Sequence, residues 1–217
     1  MAQPTETNSL EVRWFGDGSP PDAVREWLTG LGTTDASTRT DLYLAPPAPS
    51  FNLKLRDEGD GFVEVKRRLG PPVSRTFTDV VAGHVEQWYK WSFPLKGRTG
   101  LREHDPTGLW IPVEKTRLLQ VVDGDEGPLA DRPDDLTAHV ELTEVTAPAG
   151  HAWTVGAEVA GPVTDLEPTF AALSTELFGS AFPATFTEGR SFGYAAWLAR
   201  NDAGGTANPA VLVPSQR

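Results

Sequence analysis

The chain has 217 residues, 39% of them hydrophobic and 23% charged, with no Cys and one Met, which bounds it to one ordinary domain or two very small ones. No stretch approaches the ~20 consecutive apolar residues of a membrane span, and Met1–Ser9 (MAQPTETNS) has neither the basic nor the apolar region of a signal peptide, so the expectation is a cytoplasmic protein. The missing cysteine excludes disulfides, thiolate nucleophiles and Cys-type zinc sites, and a net charge of −11 argues against double-stranded nucleic acid or an anionic membrane surface as partner.

In chain order, residues 1–8 read as a disordered N-terminus, 9–200 as a single domain and 201–217 as a flexible tail. The first strand is Leu10–Phe15. Pro20-Pro21-Asp22 then opens a helix that places Val24, Trp27, Leu28 and Leu31 on one face and stops at Gly32. Strands follow at Thr40–Leu44, Phe51–Arg56, Phe62–Leu69, His84–Phe93, Trp110–Val122, Leu136–Thr146 and His151–Val159. A second helix covers 166–178 with an apolar stripe of Leu166, Phe170, Leu173, Leu177 and Phe178, ended by Gly179, and a short third runs from Tyr194 to Ala199. Turn signals between strands (GDG, PAPS, DEGDG, PAG) suit hairpins. The expectation is an α+β fold: a closed eight-stranded antiparallel barrel with a few covering helices.

Period-two reading puts charge on one face of strand after strand. Asn52, Lys54 and Arg56 share a face, as do Glu64, Lys66 and Arg68, and Val113, Lys115 and Arg117; Glu11 and Arg13 oppose Leu10, Val12 and Trp14, while His139, Glu141 and Thr143 oppose Val140 and Leu142. For one strand this is an ordinary solvated face. Lys/Arg at i and i+2 on three strands is different, because like charges on neighbouring strands cost stability unless an anion joins them. Residues 51–119 carry +3 within a chain whose remainder carries −14, and a phosphate chain is the natural ligand for such a cluster.

The segments LEVRWF, DLYL, LKLRDEGDGFVEVKRR, VEKTR, VELTEV with TVGAEVAG, and RSFGYAAWLA resemble, in order and spacing, the CYTH family, also called triphosphate tunnel metalloenzymes. The resemblance covers nearly all of 9–200. It implies an eight-stranded barrel with charged side chains inside, acting with Mg²⁺ or Mn²⁺ on triphosphate-containing small molecules such as inorganic triphosphate, nucleoside triphosphates or thiamine triphosphate. Carried onto this sequence, it implies phosphate binding by Lys54, Arg56, Lys66, Lys115 and Arg117, with Arg13 and Arg68 on the same charged faces, and metal binding by Glu11 and Glu158. Glu86 or Glu141 would serve as general base if either faces the tunnel. Two positions depart from the family pattern: Arg13 replaces the second acid of its Glu-x-Glu-x-Lys, whose Lys is here Phe15, and neither Gly156 nor Ala160 adds an acid beside Glu158.

Three readings stay open: a metal-dependent triphosphate hydrolase, a tunnel that binds a polyphosphate or nucleotide without turnover, and an unrelated barrel holding an apolar ligand or a protein partner. For the last, Trp88, Trp91, Trp110 and Trp153 could line a cavity, although packing on the outer wall is the reading preferred for them. His84, His104, His139 and His151 show no metal-ligand spacing, DEGDG at 57–61 reads as a turn rather than a calcium loop, and no Ser/His/Asp, Walker-type or dinucleotide motif is present.

Overall fold

A computed structural model describes residues 3–56, 61–95, 108–122, 135–179 and 182–202. His104, nearly all of the 57–61 turn and most of the 201–217 tail lie outside them. The elements in chain order are β1 (Thr5–Asp17), α1 (Asp22–Gly30), β2 (Thr34–Leu44), β3 (Phe51–Leu55), β4 (Phe62–Arg68), β5 (Val73–Thr78), β6 (Val81–Pro94), β7 (Trp110–Val121), β8 (Thr137–Ala147), β9 (Gly150–Gly161), α2 (Val163–Phe178), a 3-10 turn at Glu188–Arg190 and α3 (Tyr194–Asp202).

All strand pairs are antiparallel, in the order β1-β9-β8-β7-β2-β3-β4-β6-β5, and β1 also pairs with β6. That pairing closes eight strands into a barrel and leaves β5 as an extra strand along β6. All eight expected strands are present. β1 begins at Thr5 rather than Leu10, β2 begins at Thr34 rather than Thr40, and β5 is an addition.

The barrel has two apolar clusters because its strands have two faces. Outside, Leu10, Val12 and Trp14 of β1 join Val140 and Leu142 of β8 and Val155, Ala157 and Val159 of β9 beneath the helices. α2 contributes the expected stripe of Leu166, Phe170, Leu173, Leu177 and Phe178, and α1 contributes Val24 and Leu28 at i and i+4. Leu31, expected on that α1 face, falls past the helix end and is exposed. The second cluster occupies one end of the interior: Phe15, Tyr43, Val113, Val145 and Ala152 pack against Trp197 and Leu198 of α3. Phe15 stacks on Phe192 and on Trp197. α3 therefore plugs one end, and the charged stretch of the inner face lies beyond it. No described helix is long and apolar enough to cross a membrane.

Candidate functional site

Inward positions of β1, β2, β3, β4, β6 and β7 line a cavity of about 140 Å³ with Arg13, Arg39, Lys54, Arg56, Lys66, Lys90, Lys115 and Arg117; Arg56 directly follows β3. That is room for on the order of ten water-sized positions. Glu11, Glu64, Glu141 and Glu158 are the acids of the lining, with Tyr43, Trp88, Asn52 and Thr143 between the charges and Gly193, Tyr194 and Ala195 at the plugged end. Eight basic groups thus face four glutamates in a chain of net charge −11.

Among the described residues, seven of the eight cations are held by ion pairs, all of them running to a carboxylate on another strand except Arg39–Asp41, which lies within β2. Asp41 of β2, with no exposed side-chain surface, accepts from Lys115 Nζ at 2.8 Å and Arg39 Nε at 3.0 Å, and lies 3.7 Å from Lys54 Nζ. Burial alone would raise the Asp41 pKa, but Lys115, Lys54 and Arg39 outweigh it and hold the carboxyl far below its usual range. Lys115 also donates to Tyr43 Oη at 2.9 Å and sits 3.9 Å from the centroid of the Tyr194 ring. Glu64 binds Lys54 at 2.8 Å and Arg56 at 3.2 Å; these cations overcome the effect of burial and bring its pKa down to about 2. Glu141 lies 2.7 Å from Arg13 and 3.7 Å from Arg117 and is likewise brought down to about 2, burial again being overcome by the two guanidiniums.

Lys90 forms no salt bridge among the described residues, and burial pulls its pKa down. Burial does the same to Arg117. Also among the described residues, Asn52 Oδ1, Trp88 Nε1, Arg117 Nε and Thr143 Oγ1 are buried lining atoms without a hydrogen-bond partner. Leaving such groups unpaired costs about 1–3 kcal/mol each, a cost that a polar ligand removes.

Of the expected phosphate ligands, Arg13, Lys54, Arg56, Lys66, Lys115 and Arg117 come together in this lining, with Glu11, Glu141 and Glu158. Arg68 and Glu86 are not among the lining residues: Arg68 Nη1 donates to Glu86 Oε1 at 2.6 Å, and the two form a pair of their own. Burial, reinforced by the nearby Glu11, raises the Glu86 pKa despite Arg68. Trp88 corrects the expectation of an outer-wall tryptophan, since it faces the cavity 5.2 Å from Lys66 Nζ. Trp153 packs in the outer cluster as expected. Arg39, Asp41, Glu64, Lys90 and the two tyrosines received no site role from the sequence, although Glu64 shares the charged face of Lys66 and Arg68, and Asp41 and Tyr43 lie in the DLYL segment. For Asp41, Glu64 and Lys90 the available signal was their placement on alternating strands.

Glu11 and Glu158, the expected metal pair, are directly opposed on β1 and β9, with Glu86 opposite Glu11 on β6. A lysine already serves the pair: Lys66 Nζ lies 2.5 Å from Glu11 Oε2 and 3.8 Å from Glu158 Oε1. Burial raises the Glu158 pKa, but Lys66 and Lys90 outweigh it and leave the carboxyl below its ordinary value. Hard divalent cations require several oxygen ligands free of competing cations. Among the described residues, no three His, Cys, Asp or Glu side chains are grouped so as to hold a metal ion. These residues do not fit the Mg²⁺ or Mn²⁺ centre that the resemblance implies, and no chemical step is derived through one.

No protein-family model matches the chain. No curated protein matches it either. Among solved structures it is similar to the PH1012 protein from Pyrococcus horikoshii OT3, with 15% identity and a TM-score of 0.47 over 87% of this chain and 98% of that one.

Proposed function

We propose that the barrel interior binds a small molecule carrying a triphosphate: inorganic triphosphate, a nucleoside triphosphate or thiamine triphosphate. The observation that carries this reading is the convergence of eight Lys/Arg on one cavity of a chain with net charge −11. Arg forks and Lys point charges match phosphate oxygens. Asp41, Glu64 and Glu141 hold several of those cations in place before a ligand arrives, so little ordering entropy remains to be lost on binding. Arg117 Nε and Thr143 Oγ1 on the neighbouring strands β7 and β8, and Trp88 Nε1 on β6 across the barrel, are spare donors in the same lining.

Hydrolysis is a second reading: Glu86 lies outside the lining but directly opposite its Glu11 on the neighbouring strand, and burial raises its pKa toward the range in which a carboxylate serves as general base. Glu141 is the weaker base, because a carboxyl held at about 2 by Arg13 and Arg117 has little affinity for a proton at neutral pH.

Thermal-shift and phosphate-release assays with inorganic triphosphate, ATP and thiamine triphosphate test both readings. Stabilisation by at least one of them, lost in Lys115→Met and Arg117→Met, is expected. Phosphate release that Glu86→Gln abolishes would establish the second reading, and the absence of any stabilisation by all three would end the first.

A further inference from the structure

Arg13, Gly156 and Glu141 stand in one row across β1, β9 and β8: Arg13 is opposite Gly156 on one side of β9, and Glu141 is opposite it on the other. The Arg13 side chain crosses over Gly156, and its Nη2 lies 2.7 Å from Glu141 Oε1. A Cβ at position 156 would stand 2.7 Å from Arg13 Nη2 and 2.8 Å from Cζ, so any side chain there would displace the guanidinium. The other arm of the fork donates to Thr154 Oγ1 at 2.6 Å, and the Tyr194 ring lies under Cζ at 4.7 Å. Arginine at 13 and glycine at 156 are therefore one device: a fixed guanidinium and the gap that admits it. Two residues before Arg13 on β1, Glu11 binds Lys66 of β4, whose ammonium also lies 3.8 Å from Glu158.

We propose that Arg13, seated over Gly156, and Lys66, seated on Glu11 and Glu158, supply within the protein the positive charge that a divalent cation would otherwise bring, so that this cavity takes a polyphosphate anion free of complexed metal. The proposal rests on the triphosphate reading above and specifies the form of the ligand. A Mg²⁺-complexed triphosphate is two charges less negative, and its metal would need oxygen ligands where this wall presents a guanidinium and an ammonium. The uncomplexed anion meets a lining in which eight Lys/Arg outnumber four glutamates, each of which already lies against at least one of those cations.

The test is calorimetric binding of inorganic triphosphate to the full chain in EDTA and in excess Mg²⁺. Binding as tight or tighter in EDTA is expected, with Mg²⁺ weakening the apparent affinity as it complexes the ligand. Binding that Mg²⁺ tightens would overturn the proposal while leaving the triphosphate reading intact, and no binding in either buffer would remove both. Arg13→Gln, which keeps the gap at Gly156, should weaken binding in EDTA at least tenfold, with Arg13→Lys recovering part of it. Unchanged affinity in folded Arg13→Gln would also overturn the proposal. Gly156→Ala tests the gap itself and should resemble Arg13→Gln; if it fails to fold, the Arg13 pair of variants still decides.

Discussion

Glu141 and Glu64 give up their protons far more readily in the folded chain than in the unfolded one, and that difference links pH to stability. Each has a folded pKa of about 2 against an ordinary 4.5. As the pH falls, the unfolded chain takes up protons first, so the stability these pairs contribute is whole above about pH 4.5 and is lost as the pH drops through 2. Urea midpoints should therefore decline below about pH 4.5 in the wild type and decline less steeply in Glu141→Gln. A midpoint that stays level through that window would show that these carboxylates are not paired. At neutral pH, Glu141→Gln should cost about 3–5 kcal/mol, because it leaves the buried Arg13 guanidinium without its counter-charge. Which residues share a face was legible in the sequence, because strict alternation put Arg13, Lys54, Lys66, Lys115, Arg117 and Glu141 on charged faces; that these faces turn inward was only what the resemblance implied. Which acid neutralises which cation was not. Asp41 meets Lys115 only through a β2–β7 register that sequence spacing does not define, and Arg39 lay outside the strand expected at Thr40–Leu44.

The elements form where local sequence and burial agree. α2 is recovered nearly whole from its stripe because five large apolar side chains recur at helical spacing and all meet the same sheet face. β5 (VSRTFT) escaped notice because three of its six residues are Ser or Thr and its face carries no sustained apolar alternation; it is held by pairing with the first part of β6. That first part also positions Trp14. The Trp14 indole is fully buried, stacks on Phe186 at 4.9 Å, meets Phe178 edge-on at 5.3 Å and donates to the Ala82 carbonyl at 2.8 Å. Gly83 permits this approach, since a Cβ there would fall 2.7–2.8 Å from the indole. Gly83→Ala should destabilise the protein by about 1–3 kcal/mol through overpacking, with quenched or shifted tryptophan fluorescence as the indole is displaced. A variant as stable as the wild type in urea would show that the Trp14 pocket has slack.

Across the whole barrel, closure is uneven, and its thinnest wall runs through the proposed site. β2 pairs with β7 along its whole length, from Thr34–Gln120 to Leu44–Trp110, whereas β2 and β3 meet only at Leu42–Leu55 and Tyr43–Lys54. Side chains reinforce that seam from inside, where Lys54 of β3 reaches Asp41 of β2 at 3.7 Å and Glu64 of β4 at 2.8 Å. Backbone amides beside a short seam open at lower free energy than those in long, doubly covered strands. Native-state hydrogen exchange should therefore find β3 less protected than β8 and β9, whose outer faces lie in the helix-covered cluster. A triphosphate in the cavity would contact Lys54 and Arg56 on one side of the seam and Lys115 and Arg117 on the other, so opening the seam would forfeit the ligand. At a concentration a hundred times Kd, mass action opposes such opening by about 2.7 kcal/mol, which is roughly a hundredfold slowing of exchange. Inorganic triphosphate added in EDTA should slow β3 amides by up to about that factor, while α1, which packs on the outside of β8, should change far less. If β3 exchange is unaltered under conditions where calorimetry shows saturation, the ligand does not bridge the seam and sits elsewhere than among these cations.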